Sequence, residues 1–385
     1  MEAGKRREAT VIDKAKALII TASIGAGHTR AANAVRDALL DKKCVSQASV
    51  VDFLDSRDAA GRLIKDTYLK MLDVFPHAYD LLYRWSQEST PGSNLGSLTA
   101  LVLKRKLLRL LAEHRPDVLV FTHPFPACAA ASLRRNGLAH LPMAAVLTDF
   151  AVHRLWVHRE IDLYFVASQE MKKALGAFNI PEERIYATGI PVAAEFAGPP
   201  AGCRAGRGPS ILIMGGGLGL GAIEQAILDL AAVGRRLSVT VVAGGNETLR
   251  QRIKAVAAYS PHNIEVLGFT DSIHELMTVA TLLITKPGAL TCSEALATVT
   301  PLLLFGSLPG QEEENAAYLA REGAAVRADG AGQLGRVVAE MLSRPDMMNG
   351  MRARAEAIGR PQAAAAVAAI IGEYTSQRQR VTPAS

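Results

Sequence analysis

The chain has 385 residues, of which 49% are hydrophobic and 21% charged, and its formal net charge is +6. These proportions exclude a disordered chain, and the length favours two domains with sizeable cores. The four cysteines are widely spaced in no metal-ligand pattern, so neither a disulfide framework nor a cysteine-held metal is expected.

Short apolar runs alternate with amphipathic segments along the chain, which predicts strands alternating with helices in a parallel α/β architecture. In the first half the predicted strands are 17–22, 49–53, 117–121, 142–147, 161–166 and 184–188. In the second half they are 210–214, 237–242, 264–267, 281–285, 301–304 and 324–327.

A stretch dense in Gly and Pro at 197–209 separates the halves and predicts a linker. We therefore expect an N-terminal domain over 1–196 and a C-terminal domain over 210–385, two doubly wound Rossmann-like domains facing a central cleft. Ligands of such sheets bind at the carboxyl ends of the strands. An Ala-rich helix at about 362–375 is a candidate for packing back across the domain boundary.

Membrane contact, if any, is expected to be peripheral, because no apolar run reaches the roughly 18–20 residues of a spanning helix. The apolar run at 17–22 is also too short for a secretory signal. Residues 1–195 carry 26 Lys and Arg against 21 Asp and Glu. This excess fits an anionic membrane surface, and an ordinary solvated surface is the alternative.

Two amphipathic segments in the first half, 57–89 and 98–111, are typical of a membrane-surface element. The second carries the basic residues Lys104, Arg105, Lys106 and Arg109. Two core-packing helices with solvated charges are the alternative. On the first interpretation the protein is cytoplasmic, peripheral on the inner face of the cell membrane, with no nucleic-acid partner.

Gly25 and Gly27 follow the first predicted strand, and a helix is predicted to begin at Thr29. Glycines let the backbone approach a ligand, and a helix N-terminus favours negative charge, so this turn is an acceptor or phosphate loop. Arg30 replaces the third glycine of a dinucleotide fingerprint, which disfavours an oxidoreductase. His28 at the tip of the turn can deprotonate a hydroxyl near neutral pH. A structural or capping histidine is the alternative.

Asp149 follows the predicted strand at 142–147 and is the second candidate catalytic residue. Its carboxylate can orient a histidine or an acceptor hydroxyl there, or serve as the base in place of His28. A helix N-cap aspartate is the competing interpretation.

A glycine-rich turn at 215–221, which includes Gly216 and Gly217, follows the predicted strand at 210–214 and precedes a helical run. Five glycines in seven residues before a helix favour a phosphate cradle over a plain tight turn. The turn lacks the lysine of an ATPase P-loop.

Phe269 and Thr270 follow a later strand and can present an aromatic ring and backbone groups to a uracil, with core packing of Phe269 as the alternative. The strand at 281–285 is then broken by a Pro-Gly turn before a helix, an arrangement that can hold an anion. The residues expected to contact the donor there are Pro287, Gly288, Ala289, Leu290 and Thr291. Glu294, on the same helix, can reach a ribose.

Gln311, Glu312 and Asn315 open the next predicted helix and form a cluster of the hydrogen-bonding groups that a sugar needs. Asp-x-Asp, the metal clamp of one large class of nucleotide-sugar enzymes, occurs nowhere in the chain, and no cluster has metal-ligand spacing. We therefore expect no metal and no cofactor, with backbone N–H groups and helix dipoles stabilising a diphosphate.

These motifs, in this order, resemble the monogalactosyldiacylglycerol synthase and processive diacylglycerol glucosyltransferase group of glycosyltransferase family 28. In the first half the resemblance is carried by the motifs 25–28, Thr148-Asp149 with His153 and Trp156, and 188–191. In the second half it is carried by 215–217, 242–246, 286–288, 293–295, and 309–312 with Asn315.

The resemblance implies a GT-B fold, a UDP-hexose donor, inversion at the anomeric carbon, no metal and a membrane-associated diacylglycerol-like acceptor. It implies that His28 is the cleft histidine, that Glu294 holds the ribose, and that Gln311 and Glu312 hold the hexose. The resemblance also implies that Gly244 and Asn246 contact the donor. Ala289 departs from the family, which often has a second glycine there.

The sequence therefore predicts an inverting glycosyltransferase that moves galactose or glucose from a UDP-sugar to a lipid. A transferase acting on a polyprenyl-linked or small-molecule acceptor, or a nucleotide-sugar epimerase, keeps the same fold and stays open. A membrane-binding scaffold with a degenerate cleft is the alternative of another class.

Overall fold

The structure is a computed structural model that describes residues 15–23, 25–55, 97–198, 208–215, 223–306, 310–328, 330 and 332–381. The predicted amphipathic segment 57–89, the loop glycines Gly216 and Gly217, and most of the predicted linker lie outside the described residues.

The first sheet has six parallel strands in the order β2-β1-β3-β4-β5-β6. They are β1 Lys16–Thr21, β2 Gln47–Asp52, β3 Val118–Phe121, β4 Met143–Val146, β5 Leu163–Phe165 and β6 Ile185–Tyr186. The described helices of this half are α1 Ala26–Asp41, α2 Ser97–His114, α3 Pro124–Arg135 and α4 Gln169–Ala177. The 3-10 turns in the described part of this half are Arg154–Trp156, Glu182–Arg184 and Ala194–Ala197.

The second sheet is also parallel and has the order β12-β11-β10-β7-β8-β9. Its strands are β7 Ser210–Met214, β8 Ser238–Val242, β9 Asn263–Leu267, β10 Leu282–Thr285, β11 Leu302–Phe305 and β12 Ala325–Ala328. Its first five described helices are α5 Ile223–Leu230, α6 Glu247–Ala257, α7 Ile273–Val279, α8 Ala289–Ala297 and α9 Gln311–Arg321. The last three are α10 Leu334–Ser343, α11 Pro345–Ile358 and α12 Ala363–Val381.

Each of the twelve predicted strands overlaps an observed one, with ends displaced by at most two residues. The central strands are buried along their whole length because helices cover both faces of a parallel sheet, and such strands are continuous apolar runs in the sequence. The prediction of two doubly wound α/β halves is confirmed.

The last helix, α12, packs on the N-terminal half. Val367, Ala368 and Ile371 are fully buried in one cluster with Ile19 of β1 and Val35 of α1. Another cluster runs through both halves, and the rings of Phe150 and Tyr318 stack across it at 5.0 Å. The two sheets are therefore held together by shared apolar packing as well as by the chain connection.

The chain order reverses at one place in each sheet, between β1 and β3 in the first and between β7 and β10 in the second. Loops leaving neighbouring strands diverge at such a point and open a crevice at the carboxyl edge of the sheet. His28 follows β1, and Glu294 lies on α8, which follows β10. The fold thus directs the candidate catalytic and donor-binding residues towards the same cleft.

Candidate active site

The first half of the site begins at the turn after β1. Gly25 adopts φ +85°, which favours glycine, and α1 begins directly after it at Ala26. The prediction that the helix begins at Thr29 is therefore wrong by three residues. Gly27 lies in the first turn of this helix, and of the two predicted loop glycines Gly25 alone has a positive φ. His28 is consequently held by helical backbone and not by a loop tip.

The ring of His28 is fixed through one nitrogen. Nδ1 lies 2.8 Å from the Thr122 carbonyl oxygen and 2.7 Å from Thr148 Oγ1. A carbonyl oxygen only accepts hydrogen bonds, so Nδ1 carries the proton, and the lone pair of the neutral ring lies on Nε2. Burial lowers the pKa of His28, opposed by the Asp149 carboxylate and the Thr122 carbonyl. His28 is therefore suited to act as a base near neutral pH.

A second histidine, which sequence reasoning missed, borders the first. The His123 ring packs edge-on against His28, with centroids 4.7 Å apart. Its Nδ1 accepts from the Phe125 N–H and caps α3. Burial and the neighbouring His28 hold the pKa of His123 well below its usual value. In the sequence, Thr122 and His123 come directly after the predicted strand 117–121, a position typical of site residues. The sequence does not show that this strand lies beside β1, and so it does not place His123 next to His28.

Asp149 lies in the loop after β4, half-buried, and no described helix begins there, so the N-cap interpretation does not hold. Burial raises the pKa of Asp149, opposed by His28 and by the Asn315 amide, which donates to Oδ1 at 3.3 Å. The Asp149 carboxylate therefore favours the protonated form of His28, and His28 in turn lowers the pKa of Asp149.

Asn315, predicted to contact the donor, is almost fully buried between the two halves. Its Oδ1 accepts from the Phe150 N–H at 2.8 Å, and its Nδ2 also donates to the Pro287 carbonyl oxygen at 3.2 Å. Both polar atoms of the amide therefore already have protein partners. In this structure Asn315 joins the Asp149 loop to the turn before α8.

The second half of the site is built from the N-termini of α8 and α9. Gly288 and Gly310 are their N-cap residues, Gly310 at φ +92°, and no described side chain caps either helix. The free N–H groups and the helix dipole make the α8 end suitable for a phosphate, whereas the three glutamates in the first turn of α9 suit a neutral sugar and not an anion. Glu312, beside Gln311 in the first turn of α9, forms an ion pair with Lys286 at 2.6 Å. These ends are where the sequence predicted the diphosphate and the hexose.

The predicted contact residues at the start of α8 differ in exposure. Pro287, Ala289 and Leu290 are buried, whereas Gly288 and Thr291 are partly exposed. A Cβ added to Gly27 would lie 3.6 Å from Leu290 Cβ, so α1 and α8 approach each other closely. The first turn of α1 therefore faces the predicted donor-binding helix.

Glu294 is only 1% exposed, and its Oε1 accepts from Arg30 Nη2 at 2.8 Å. Its Oε2 is buried and has no partner among the described residues. Burial raises the pKa of Glu294 to about 7, with Arg30 opposing the rise. The helix thus presents an incompletely bonded carboxylate where a ribose was predicted.

Four other predicted donor-site residues follow the strands β8 and β9 of the second sheet. Phe269 follows β9, and with 76% of its surface exposed it is not a core residue. Thr270 Oγ1 accepts from the Ser272 N–H. Asn246 Oδ1 accepts from the Leu249 N–H and caps α6, and Gly244 before it has φ +66°. The strands β8 and β9 are the first and second neighbours of β7 on the side away from β10. Because neighbouring strands lie about 4.8 Å apart, the loops after β8 and β9 begin about 5 Å and about 10 Å to the side of β7.

Among the described residues, no group of three or more His, Cys, Asp and Glu side chains is placed to hold a metal ion. No helix within the described part of the chain is both long and apolar enough to cross a membrane.

Known proteins resemble this chain in sequence over most of its length. The family profile for Monogalactosyldiacylglycerol (MGDG) synthase matches residues 28–192, and the Glycosyltransferase family 28 C-terminal domain matches residues 210–365. A processive diacylglycerol beta-glucosyltransferase of Bacillus thuringiensis (strain Al Hakam) is 34% identical over 327 residues, which is 82% of each chain. The same protein of Bacillus cereus (strain AH820) matches equally well.

Solved structures with the same fold are more distant in sequence. MurG of Acinetobacter baumannii has a TM-score of 0.63 at 18% identity, covering 93% of this chain and 99% of that one. The UDP-GlcNAc 2-epimerase of Neisseria meningitidis, bound to UDP-GlcNAc, has a TM-score of 0.57 at 15% identity, covering 94% and 100%. These likenesses confirm the predicted GT-B fold.

The family is decided by the sequence relatives, because the fold is shared by transferases and epimerases. The two family profiles together match most of both halves, and the match to the Bacillus thuringiensis relative covers 82% of this chain. The chain therefore belongs to the monogalactosyldiacylglycerol synthase and processive diacylglycerol glucosyltransferase group of glycosyltransferase family 28.

Proposed function

We propose that this glycosyltransferase moves a hexose from a UDP-sugar to the free hydroxyl of a diacylglycerol-like lipid, with inversion at the anomeric carbon. The observation that carries the proposal is the placement of His28, with Nε2 free to accept a proton, opposite the uncapped N-termini of α8 and α9. The names of the Bacillus relatives support a lipid acceptor and favour glucose as the sugar.

In the proposed reaction the acceptor oxygen attacks the anomeric carbon as its proton passes to His28 Nε2. The new C–O bond forms while the bond from the anomeric carbon to the diphosphate oxygen breaks, and UDP leaves with that electron pair. Charge develops on the diphosphate, where helix N-terminal N–H groups stabilise it. Asp149 stabilises the imidazolium that forms, since its carboxylate acts electrostatically on His28.

The direct test is transfer from labelled UDP-glucose and UDP-galactose to vesicles that contain diacylglycerol. We expect lipid-soluble label and an equal amount of UDP, with UDP-glucose the better donor. Conversion of the nucleotide sugar into a different UDP-sugar in the absence of lipid would show an epimerase instead. Label transferred only to a polyprenyl phosphate or to a small molecule would keep the transferase and change the acceptor.

Metal independence is part of the proposal. The N-termini of α1 and α8 supply uncapped N–H groups near the cleft and have no acidic residue in their first turns, so they can hold a diphosphate without a cation. We expect transfer to continue at an unchanged rate in excess EDTA, measured after the protein has been dialysed against the chelator. A strict and saturable requirement for Mg²⁺ or Mn²⁺ would contradict this part of the mechanism.

Peripheral binding on the inner face of the cell membrane is also proposed, through the exposed face of α2. Leu103 and Leu107 are buried, whereas Arg105, Leu108 and Arg109 are exposed. Lys106, included in the predicted basic cluster, instead lies over the Phe53 ring, 5.7 Å from its centroid. The face available to a membrane is therefore narrower than the sequence indicated.

Reversing both exposed charges, Arg105→Glu with Arg109→Glu, should release the protein from anionic vesicles. Each basic residue contributes about 1 kcal/mol at an anionic surface, so partitioning should fall about 30-fold or more. Sedimentation with vesicles of anionic and of neutral lipid measures it. Arg235→Glu with Arg236→Glu, on the exposed surface of the other half, is the matched control. Equal partitioning of the wild type, the α2 variant and the control would show that the exposed face of α2 contacts solvent and not the membrane.

A further inference from the structure

The Arg30–Glu294 ion pair connects the two halves of the cleft. Glu294 lies on α8, in the half that is proposed to bind the nucleotide, and Arg30 lies on α1, two residues after His28. Their 2.8 Å contact joins the helix of the proposed base to the carboxylate of the proposed ribose site. The Arg30 side chain keeps 40% of its surface exposed, whereas Glu294 is covered.

The pair uses only one of the two carboxylate oxygens. Oε2 of Glu294 is buried without a partner among the described residues, and an unpaired oxygen in such a place is costly. An ionised carboxylate accepts about four hydrogen bonds, so Arg30 on Oε1 does not exhaust it. Adjacent ribose hydroxyls are donors of the kind that would satisfy Oε2.

Arg30 also affects whether that carboxylate is charged. Two charged side chains act on Glu294 from the elements packed against α8: Arg30 from α1, and Glu195 from the 3-10 turn Ala194–Ala197. Glu195 and burial both raise the pKa of Glu294, and Arg30 alone of these lowers it. Without Arg30 the carboxyl would be neutral over a wider pH range, and a neutral carboxyl is a weaker acceptor.

We propose that Arg30 is a positioning residue for the donor, which holds the Glu294 carboxylate in the orientation and charge state that the ribose hydroxyls require. The inference depends on the proposed function, since it assigns the nucleotide to Glu294. Because Arg30 follows His28 on the first turns of α1, the same contact sets the position of the donor relative to the base.

The test is the affinity for UDP-glucose, measured by calorimetry without acceptor between about pH 6 and about pH 8, a range that brackets the pKa of Glu294 and in which the ligand keeps its charge. Donor binding needs the ionised carboxylate, so affinity falls as pH falls through the pKa of Glu294. In Arg30→Gln we expect affinity about tenfold weaker near neutral pH, with the acid loss displaced to higher pH. Arg30→Lys should recover most of the affinity.

Two controls separate this role from a general loss of charge or of structure. Arg36→Gln removes the same charge from the same helix, where Arg36 pairs with the exposed Asp37, and should leave both affinity and its pH profile unchanged. In a Glu294→Gln background, Arg30→Gln should add little further loss, because the two residues act as one unit. Melting temperatures verify that each variant is folded.

Tighter binding by Arg30→Gln would show that Arg30 blocks the ribose site and would overturn the inference. So would unchanged affinity, or a weakening of equal size at every pH. If the wild type itself binds no UDP-sugar, the proposed function fails first. If the wild type binds and only Glu294→Gln weakens binding, the donor site stands and the role of Arg30 does not.

Discussion

Replacing His28 by alanine is expected to lower turnover about 10²–10⁴-fold, the range that a general base usually contributes, with little effect on donor affinity. The physical reason is the tautomer: the Thr122 carbonyl oxygen holds the proton on Nδ1, which leaves Nε2 as the proton acceptor. Single-turnover transfer to diacylglycerol vesicles measures the chemical step, and calorimetry with UDP measures the donor site.

The pH profile gives a second measure of the same role. Burial lowers the pKa of His28, so the wild-type rate, measured at a saturating concentration of the UDP-sugar at every pH, should fall only as pH drops below the ordinary histidine value of 6.5. The acid limb should be absent in His28→Ala. His140→Ala removes an exposed histidine from the same half and should change neither rate nor profile. Near-normal turnover of His28→Ala would make His28 structural and move the search for the base to Asp149.

Replacing Glu294 by glutamine should weaken UDP affinity about ten- to hundredfold, because hydrogen bonds to a charged group contribute roughly 1.5–3 kcal/mol. Glutamine keeps the side-chain volume and one carbonyl oxygen, so the loss reports the charge and the second oxygen and not a cavity. Titration calorimetry with UDP is the measurement, and the turnover of the variant at saturating donor should change less than its affinity.

The control for this variant is Glu340→Gln, which removes an exposed carboxylate from α10 in the same half of the chain, where it pairs with Arg344. It makes the same change of charge on a helix that contributes no predicted site residue, and UDP affinity should be retained. Unchanged affinity in Glu294→Gln would remove Glu294 from the donor site and leave its ion pair with Arg30 a purely structural contact between the halves.

The sequence alone was sufficient for the twelve strands and the two-sheet architecture. Strands that are covered on both faces must be apolar throughout, and glycine or proline must follow where the chain turns, so both features are local. The start of α1 was misplaced because two glycines favour a loop, whereas a single positive φ at Gly25 is enough to turn the chain. The local sequence pattern also could not show that the Lys106 amine lies over the Phe53 ring.

Only the tertiary structure decided which residues meet in the cleft. The contacts of His28 with Thr122 and His123, of Arg30 with Glu294, and of Asn315 with the Asp149 loop each join distant parts of the chain. A sequence shows the periodicity of each segment but not which strand lies beside which. The order of the strands in each sheet determines which loops, and so which side chains, lie next to one another at the switch point. The residue types of the site were therefore readable in the sequence, whereas their partners, protonation and burial depend on the packing of the two sheets.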